Sequence, residues 1–346
     1  QHHISLSGQQ HEIHSVEFIA AEDCNEIVLF EKEKVSQISY PKSSFKIINF
    51  FRYIRAAKLA VNHLKKIGFY PDIVHCHVAG RNLWMANKYF PTVPKVISEH
   101  WSGFINGNFK KSNYFVKKFM IHQMNRCDAV TSVSEHLKTS LLEHGIDSNV
   151  TLLNNVIKYK EKSMVSASGD MIFLMVADLL DEVKNVSGAI EAINQLTHDH
   201  SCFKLMIIGD GPDMVFLRKQ VERNNLESKI HFLGRLIQDD VQDYLLQADC
   251  LIVNSNYETY SMVTIESILT GCPVIATRCG GPEQFVNSKN GILIPKADID
   301  QLKLAMIEIY QNRLNYQPDK VRGSVQGVYT EAEVESELNK IYLKLI

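Results

Sequence analysis

The chain has 346 residues, a formal net charge of −2 at pH 7, 45% hydrophobic residues and 22% charged residues. This composition is typical of a globular protein, and the length predicts two domains because one domain usually takes about 100–200 residues. No apolar run approaches the roughly 18 residues of a membrane-spanning helix, and no basic stretch followed by an apolar one predicts a secretory leader.

The first half of the chain predicts an α/β domain. Apolar residues recur at helical spacing from Ile47 to Leu64, and Gly68 is expected to end that helix. Strand patterns cover Glu12–Ile19, Glu26–Phe30, Asp72–His77, Lys95–Ser98 and Ala129–Val133, with a basic amphipathic stretch at Phe109–Met124. The chain does not open on an apolar strand and a glycine-rich turn, as a doubly wound domain does. We therefore expect the first strand of this domain to be missing from the chain.

Basic charge is concentrated in this half. Residues 42–118 hold fourteen Lys and Arg against two acidic residues, Asp72 and Glu99. One interpretation is a set of solvated helix faces. The other is a surface for an anionic partner, such as a membrane headgroup layer or an acceptor that carries a pyrophosphate.

A polar linker around residues 154–169 precedes a regular alternation of strands and helices, which is typical of a parallel, doubly wound sheet. The predicted strands are Ile172–Val176, Lys204–Ile208, Ile230–Leu233, Cys250–Val253, Val274–Ala276 and Ile292–Ile294. The predicted helices are 186–197, 213–225, 239–247, 262–270 and 298–311. We place one domain at 1–157 and the other at 158–330, and expect the last helix, within 331–346, to pack back on the first.

The loops that follow the strands of the second half hold the candidate site, because ligands bind at the carboxyl ends of parallel strands. Ser261 is a good N-cap for the helix at Met262, and the positive end of that helix suits a diphosphate. Glu258 and Glu266, separated by seven residues, are expected to accept hydrogen bonds from sugar or ribose hydroxyls. Lys184 can meet a phosphate as a point charge.

Glycine turns, cysteines and histidines are the remaining candidates for functional residues. Gly280 and Gly281 are expected to let the backbone approach a ligand closely, whereas the turn at Gly209 is weaker evidence. The seven cysteines are odd in number and include no CxxC pair, which favours free thiols in a reducing cytosol. His75 and His77 share a strand face but offer only two ligands, so no metal site is expected.

Together these segments resemble the retaining glycosyltransferase family 4, the group 1 glycosyl transferases. The resemblance rests on Leu233-Gly234, the run from Ala248 to Ser255, the Glu258 to Glu266 spacing, the run from Gly271 to Thr277, and Gly280-Gly281-Pro282-Glu283. Residues 72–77, 99–100 and 128–134 agree more loosely. The resemblance implies a GT-B fold, in which two Rossmann-like doubly wound domains face a cleft, with the acceptor domain first and the donor domain second.

The family implies roles for the matching positions. Glu258, Lys184 and His100 would be catalytic: Glu258 at the donor sugar and its phosphate, Lys184 at the leaving diphosphate, and His100 facing the sugar across the cleft. Glu266 would bind the ribose hydroxyls. The remaining donor-binding positions would be Thr259, Tyr260, Ser261, Met262, Val263, Gly234, Arg235, Leu236, Gly209, Gly280 and Gly281. Two positions depart from the pattern, because Asp178 stands where the family usually has an arginine and Ser261 where it has a glycine.

The implied activity is retaining transfer of a sugar from a UDP- or GDP-linked donor to an acceptor hydroxyl, in bacterial-type surface polysaccharide or glycolipid assembly. No cofactor, metal ion or nucleic acid is expected to take part. The acceptor would be a glycan or a lipid-linked glycan, and the protein would be cytoplasmic, at the inner face of the plasma membrane. Two alternatives stay open, a sugar-nucleotide epimerase of the same fold and a non-catalytic nucleotide-sugar binder.

Overall fold

The computed structural model describes residues 12–21, 26–32, 34–147, 149–164, 169–197, 202–325, 327 and 329–346. The chain forms two compact units. The first comprises Gln1–Val133, Leu137–Val156 and Tyr329–Ile346, and the second comprises Ser134–His136 and Ile157–Val328. Part of the predicted linker, residues 165–168, and Cys24 lie outside the described residues.

The first unit contains two sheets. Strands β1 (Ser15–Ala21), β2 (Val28–Lys32) and β3 (Val35–Pro41) form one in the order β1-β3-β2. In it β1 runs parallel to β3 and β2 antiparallel. The other sheet is parallel, in the order β4-β5-β6-β7, with strands at Val74–His77, Lys95–Glu99, Ala129–Ser132 and Val150–Leu152. The helices between them are α1 to α5, at Lys46–Lys66, Arg81–Tyr89, Asn108–Lys111, Tyr114–Met124 and Glu135–Glu143.

The long helix α1 covers the three-stranded sheet. Its small residues Ala56, Ala57 and Ala60 are buried against Ile38 and Tyr40 of β3, so the helix can lie close to the sheet. The helix ends just before Gly68, whose φ of +75° suits a residue without a Cβ atom.

The second unit is built on one six-stranded sheet in the order β10-β9-β8-β11-β12-β13, and every paired strand in it is parallel. The strands β8 to β13 are Met171–Val176, Phe203–Ile208, Ile230–Gly234, Cys250–Val253, Val274–Thr277 and Gly291–Ile294. The helices α6 to α12 are Asp181–Lys184, Val186–Leu196, Met214–Arg223, Gln238–Gln247, Met262–Thr270, Ile299–Gln311 and Pro318–Arg322. Because the strand order reverses between β8 and β11, the loops that follow these two strands meet at the switch point of the sheet.

The last helix, α13 (Glu331–Leu343), belongs to the first unit. A capping box fixes its start, in which Thr330 and Glu333 each bond the other's backbone N–H. A chain of hydrogen bonds then joins it to the parallel sheet. The Tyr342 hydroxyl lies 2.6 Å from His75 Nδ1, His75 Nε2 lies 2.8 Å from Ser98 Oγ, and Ser98 Oγ lies 2.6 Å from Thr131 Oγ1.

The α/β class predicted from the sequence is confirmed, and two local features were not predicted. The basic amphipathic stretch Phe109–Met124 forms two helices, α3 and α4, because Asn113 stands at the N-cap of α4 and its side chain accepts a hydrogen bond from the Phe115 N–H. Strand β3 was not expected, since Ser36 occupies its first buried position and breaks the apolar alternation.

The described residues contain no helix long and apolar enough to cross a membrane. The six described cysteines are unpaired, and five of them are buried. Burial raises the pKa of Cys76 and of Cys127 to about 12, so both thiols stay protonated at neutral pH.

The hydrogen bond from Tyr342 offers a test of how the last helix is held. Tyr342→Phe removes the hydroxyl that meets His75, and we expect it to lower the free energy of unfolding by about 1 kcal/mol, the usual net value of such a bond. Denaturant unfolding measures this difference. Tyr70→Phe is the matched control, since Tyr70 is 73% exposed and should change nothing. Equal stabilities for Tyr342→Phe and wild type would show that the hydroxyl does not hold the helix.

Candidate functional site

The loops that follow β8 and β11 are joined by hydrogen bonds at the switch point of the second unit. Asn254 Nδ2 donates to the Asn185 carbonyl at 2.9 Å, and Asn256 donates through its backbone to Val183 at 2.7 Å and through its side chain to Glu182 at 2.9 Å. Buried backbone groups need such partners. The bonds fix the end of α6, and therefore the position of Lys184, against the loop before α10.

Lys184 and Glu258 form an ion pair across these two loops. Lys184 Nζ lies 2.6 Å from Glu258 Oε1, and the side chains are only 22% and 14% exposed. The Ser255 hydroxyl donates to the same carboxylate oxygen at 2.9 Å. The sequence assigned these two side chains separate tasks, yet the structure places them in contact. A charge-assisted bond of this length, partly shielded from water, holds both side chains at the carboxyl edge of the sheet.

Gly280 and Gly281 let a third loop pack against the second. The Glu258 N–H donates to the Cys279 carbonyl at 3.2 Å, and the Gly281 N–H donates to the Glu258 carbonyl at 2.9 Å. A Cβ atom on Gly281 would lie 2.6 Å from the carbonyl carbon of Tyr260. The close approach that these glycines allow is therefore between two protein loops. Their predicted approach to a ligand stays a prediction.

Ser261 stands at the N-cap position of α10, but its side chain does not make the expected capping hydrogen bond, so this prediction is wrong. Its backbone is left-handed, with φ +67° and ψ +72°, and its hydroxyl lies 2.7 Å from the Thr264 hydroxyl instead of bonding a backbone N–H. A left-handed conformation costs a non-glycine residue about 1–2 kcal/mol. The position where the family has a glycine thus keeps the backbone shape of a glycine. Thr259, Tyr260, Met262 and Val263 flank it, and Tyr260 is buried against Phe285, with ring centroids 5.0 Å apart.

Glu266 lies in the first half of α10 and is only 7% exposed. Burial raises the pKa of its carboxyl to about 7, and a hydrogen bond from Gln238 Nε2 at 3.0 Å opposes part of that rise. Gln238 begins α9, directly after the loop that holds Gly234 and Leu236. Sequence reasoning missed Gln238 because only the fold brings it to Glu266.

Arg235 extends from the same loop and pairs with Asp178, at 3.2 Å between Arg235 Nη2 and Asp178 Oδ1. Both side chains are more than two-thirds exposed, so the pair itself adds little to stability. Gly209 lies between the two loops: its N–H donates to the Gly234 carbonyl at 2.8 Å, and a Cβ atom on it would collide with the Ala177 carbonyl oxygen. Arg235 therefore lies beside Asp178, the residue at the position where the family usually has an arginine.

His100 belongs to the first unit, and its predicted role opposite a donor sugar stays a prediction. The buried Glu99 carboxylate fixes the local backbone by accepting hydrogen bonds from the N–H groups of Ala79, His100 and Trp101 at 2.8–2.9 Å. Burial nevertheless raises the pKa of Glu99. The ring of His77 stacks beside that of His100, with centroids 6.0 Å apart.

Two family models match the chain. The model described as Glycosyl transferases group 1 matches residues 156–322, and the model described as Glycosyltransferase Family 4 matches residues 5–160. An uncharacterised glycosyltransferase of Methanocaldococcus jannaschii is 29% identical over 265 residues, which are 75% of this chain and 70% of that protein. Two further curated relatives, a glycogen synthase of Mycobacterium tuberculosis and an N-acetyl-alpha-D-glucosaminyl L-malate synthase of Bacillus anthracis, are 25% and 24% identical and are matched over 62% and 61% of their own length.

Solved structures share the fold. Sucrose-phosphate synthase from Thermosynechococcus elongatus superposes with a TM-score of 0.80 at 18% identity, over 100% of this chain and 92% of that one. An Anabaena protein in complex with UDP superposes with a TM-score of 0.72 at 15% identity, over 90% and 86% of the two chains. At these identities the superpositions establish the architecture.

The raised pKa of Glu266 makes a prediction for stability. Between pH 4.5, the ordinary value, and about 7 the folded protein binds a proton that the unfolded chain releases, so this residue's contribution falls as the pH rises through that window. We expect Glu266→Gln to raise the free energy of unfolding by up to about 3 kcal/mol at about pH 8 and to give no such gain below about pH 4.5. Denaturant unfolding at several pH values measures this.

Glu222→Gln, on the exposed face of α8, is the control and should show the same small effect at every pH. If the stability difference between Glu266→Gln and wild type did not change with pH, Glu266 would not be the buried carboxyl described here.

Proposed function

Because the chain belongs to the group 1 glycosyltransferases and has their GT-B fold, we propose that it moves a sugar from a nucleoside diphosphate sugar to an acceptor hydroxyl with retention of anomeric configuration. The observation that carries this proposal is the ion pair of Lys184 and Glu258 at the switch point of the second unit's sheet, with Glu266 and Arg235 in segments that follow the carboxyl ends of β11 and β10 of that sheet. Ligands of open parallel sheets bind at this position.

The charges at this edge support a donor of that chemistry. Lys184 and the start of α10 supply positive potential for a diphosphate. Glu266 is placed to accept hydrogen bonds from ribose hydroxyls, and Glu258 from the donor sugar. Since Glu258 already holds Lys184, an incoming diphosphate competes with this carboxylate for the ammonium group. Donor binding therefore rearranges an existing ion pair.

Transfer would depend on positioning and on stabilising the departing charge. The bond between the anomeric carbon and the phosphate oxygen breaks, and Lys184 stabilises the negative charge that develops on the diphosphate. The acceptor hydroxyl attacks the same face, and its proton passes to the leaving phosphate, so no nucleophile from the protein is needed. We propose that no metal ion takes part and that transfer continues when a chelator is added.

Arg235 supports the proposal at the point where the sequence departs from the family. The family usually neutralises the diphosphate with an arginine at the position of Asp178. Here the guanidinium of Arg235 lies 3.2 Å from the Asp178 carboxylate, in an exposed pair that costs little to open. We propose that Arg235 turns from Asp178 to the diphosphate when the donor binds.

For the acceptor we propose a lipid-linked glycan at an anionic membrane surface, bound by the first unit. The starts of α1 and α4 expose the large apolar side chains Phe45, Ile47, Phe51, Tyr114 and Phe115. Both helices also line one apolar cavity of about 310 Å³, to which Phe50, Leu83, Trp84, Val116, Phe119 and Met120 contribute. Lysines next to exposed apolar side chains are typical of surfaces that bind lipid headgroups.

Replacing the lysine tests the donor assignment. We expect Lys184→Ala to lower the transfer rate by about 10²–10³-fold, as loss of one group that stabilises developing charge usually does, while the protein remains folded. A thermal-shift screen of UDP-, GDP- and ADP-sugars first identifies the donor, and product formation then measures the rate. Lys219→Ala, an exposed lysine on α8, is the matched control. A wild-type rate for Lys184→Ala would refute this role.

The same assay separates the alternatives. Incubation with the donor but no acceptor gives an isomeric nucleotide sugar only if the protein is an epimerase. Donor binding without transfer to any acceptor would identify a non-catalytic binder.

Vesicle binding tests the membrane surface. Replacement of Lys110, Lys111, Lys117 and Lys118 by alanine should weaken binding to anionic vesicles by at least about tenfold, since each lysine near such a surface contributes about 1 kcal/mol. Co-sedimentation measures the bound fraction. The control replaces four exposed lysines elsewhere, Lys219, Lys289, Lys320 and Lys344. Equal losses of vesicle binding in both variants, or no loss in either, would show that Lys110, Lys111, Lys117 and Lys118 do not form a specific membrane-binding surface.

A further inference from the structure

Three side chains with metal-binding atoms meet where helix α1 leaves the three-stranded sheet. Glu31 of β2 pairs with Ser36 of β3, and Val16 of β1 pairs with the same serine from the other side. Residues paired across a sheet lie on one face, and so do residues two apart in a strand. His14, two residues before Val16, therefore lies on the face that bears Glu31, the face that α1 covers.

The helix completes this group. Tyr53, Ala56 and Ala60 form its buried stripe, and His63 continues that stripe into the last turn. At this end of the layer the apolar pattern gives way to two imidazoles and one carboxylate. Ser36 on the same face is polar as well, whereas Ile38 and Tyr40, further along β3, belong to the hydrophobic core.

The distances among the three side chains approach those of a coordination shell. His63 Nε2 lies 3.1 Å from Glu31 Oε2, and His14 Nε2 lies 3.8 Å from Glu31 Oε1. One atom from each residue can be chosen so that all lie within 4.8 Å of one another. Tetrahedral zinc with bonds of about 2.1 Å holds its donors about 3.4 Å apart, so small side-chain rotations would close the group around an ion.

The hydrogen bonding leaves room for a ligand role. His63 Nε2 is shut off from solvent and makes no hydrogen bond within the described residues, although the Glu31 carboxylate lies beside it. A buried polar atom of this kind calls for an explanation. His14 Nε2 lies 3.1 Å from the Ser36 hydroxyl, which would position the ring beside the ion.

Burial favours the neutral form of the His14 imidazole, which is the form that binds metals. Burial is the main cause that lowers the pKa of His14; His63 and Lys34 lower it as well, while Glu31 and Glu12 oppose them. Lys34 Nζ is itself held 3.6 Å from Glu12 Oε1. Glu31 is 38% exposed, so water can reach the fourth position of a tetrahedral shell.

We propose that His14, Glu31 and His63 form a binding site for a divalent ion of the zinc class. Two imidazole nitrogens, one carboxylate oxygen and a water molecule are a ligand set that Zn²⁺ accepts. The ion would tie the β2–β3 hairpin and the start of β1 to the end of α1. Its role is to stabilise the first unit, and it is independent of the transfer proposed for the second.

Zinc titration tests the site directly. The full chain with the five histidines outside the described residues replaced by alanine serves as the parent, so that they do not contribute; they are His2, His3, His11, His198 and His200. Calorimetry should give one bound Zn²⁺ per chain, and His63→Ala or Glu31→Gln should weaken binding by at least about 100-fold. His231→Ala, at an exposed histidine of the second unit, is the control and should bind like the parent.

A second readout separates the site from adventitious binding. Zinc should raise the thermal unfolding midpoint of the parent, and a chelator should reverse the rise. Glu31→Gln should abolish the rise. This variant is expected to fold because Glu31 is partly exposed. Circular dichroism checks that each variant is folded. No bound zinc in the parent, or binding that survives both His63→Ala and Glu31→Gln, would overturn the proposal.

Discussion

The ion pair between Lys184 and Glu258 is the interaction on which the organisation of the second unit's site depends. It joins the loop after β8 to the loop after β11, the two strands between which the sheet order reverses. Hydrogen bonds from Asn254 and Asn256 hold the same two loops together. Under the proposed function, the cation that would meet a diphosphate is engaged in this pair, so donor binding would disturb a contact between the two loops.

Several features at this edge are costly for folding. Glu266 is a carboxyl buried with one side-chain partner, Gln238, and Ser261 holds a left-handed backbone. Strained or desolvated groups of this kind persist only where the surrounding packing fixes them, and they cluster at functional sites. The glycine turn at Gly281 supplies part of that packing, because it brings the backbone of a third loop against Tyr260. The residues that are costly for folding and the packing that stabilises them therefore lie together at the carboxyl ends of the strands.

The sequence predicted the second unit more closely than the first. Its strands are short apolar runs between helices, and the predicted and observed spans of β11, Cys250–Val253, are the same. In the first unit β3 escaped prediction because Ser36 occupies a buried position, and the helix break before α4 depends on the single cap at Asn113. Prediction from the local pattern of apolar residues fails where a single polar side chain determines the secondary structure.

The site shows a different limit. The loops that carry Lys184, Glu258 and Glu266 could be placed at one sheet edge from topology alone, because parallel strands end together. The contacts among side chains could not be predicted: 74 residues separate Lys184 from Glu258, and 28 separate Gln238 from Glu266. The same holds for His14, Glu31 and His63, which no spacing in the chain relates. Such pairings follow only from the registers of strands and the packing of helices.

The competition between Glu258 and a diphosphate for Lys184 can be measured directly. Glu258→Gln removes the competing charge but keeps the shape of the side chain. The account predicts that the nucleoside diphosphate of the donor binds about tenfold more tightly to this variant, a gain of about 1.4 kcal/mol by calorimetry, while sugar transfer becomes slower. Unchanged or weaker binding of the nucleoside diphosphate to Glu258→Gln would contradict the central claim, which is that Glu258 competes with the diphosphate for Lys184.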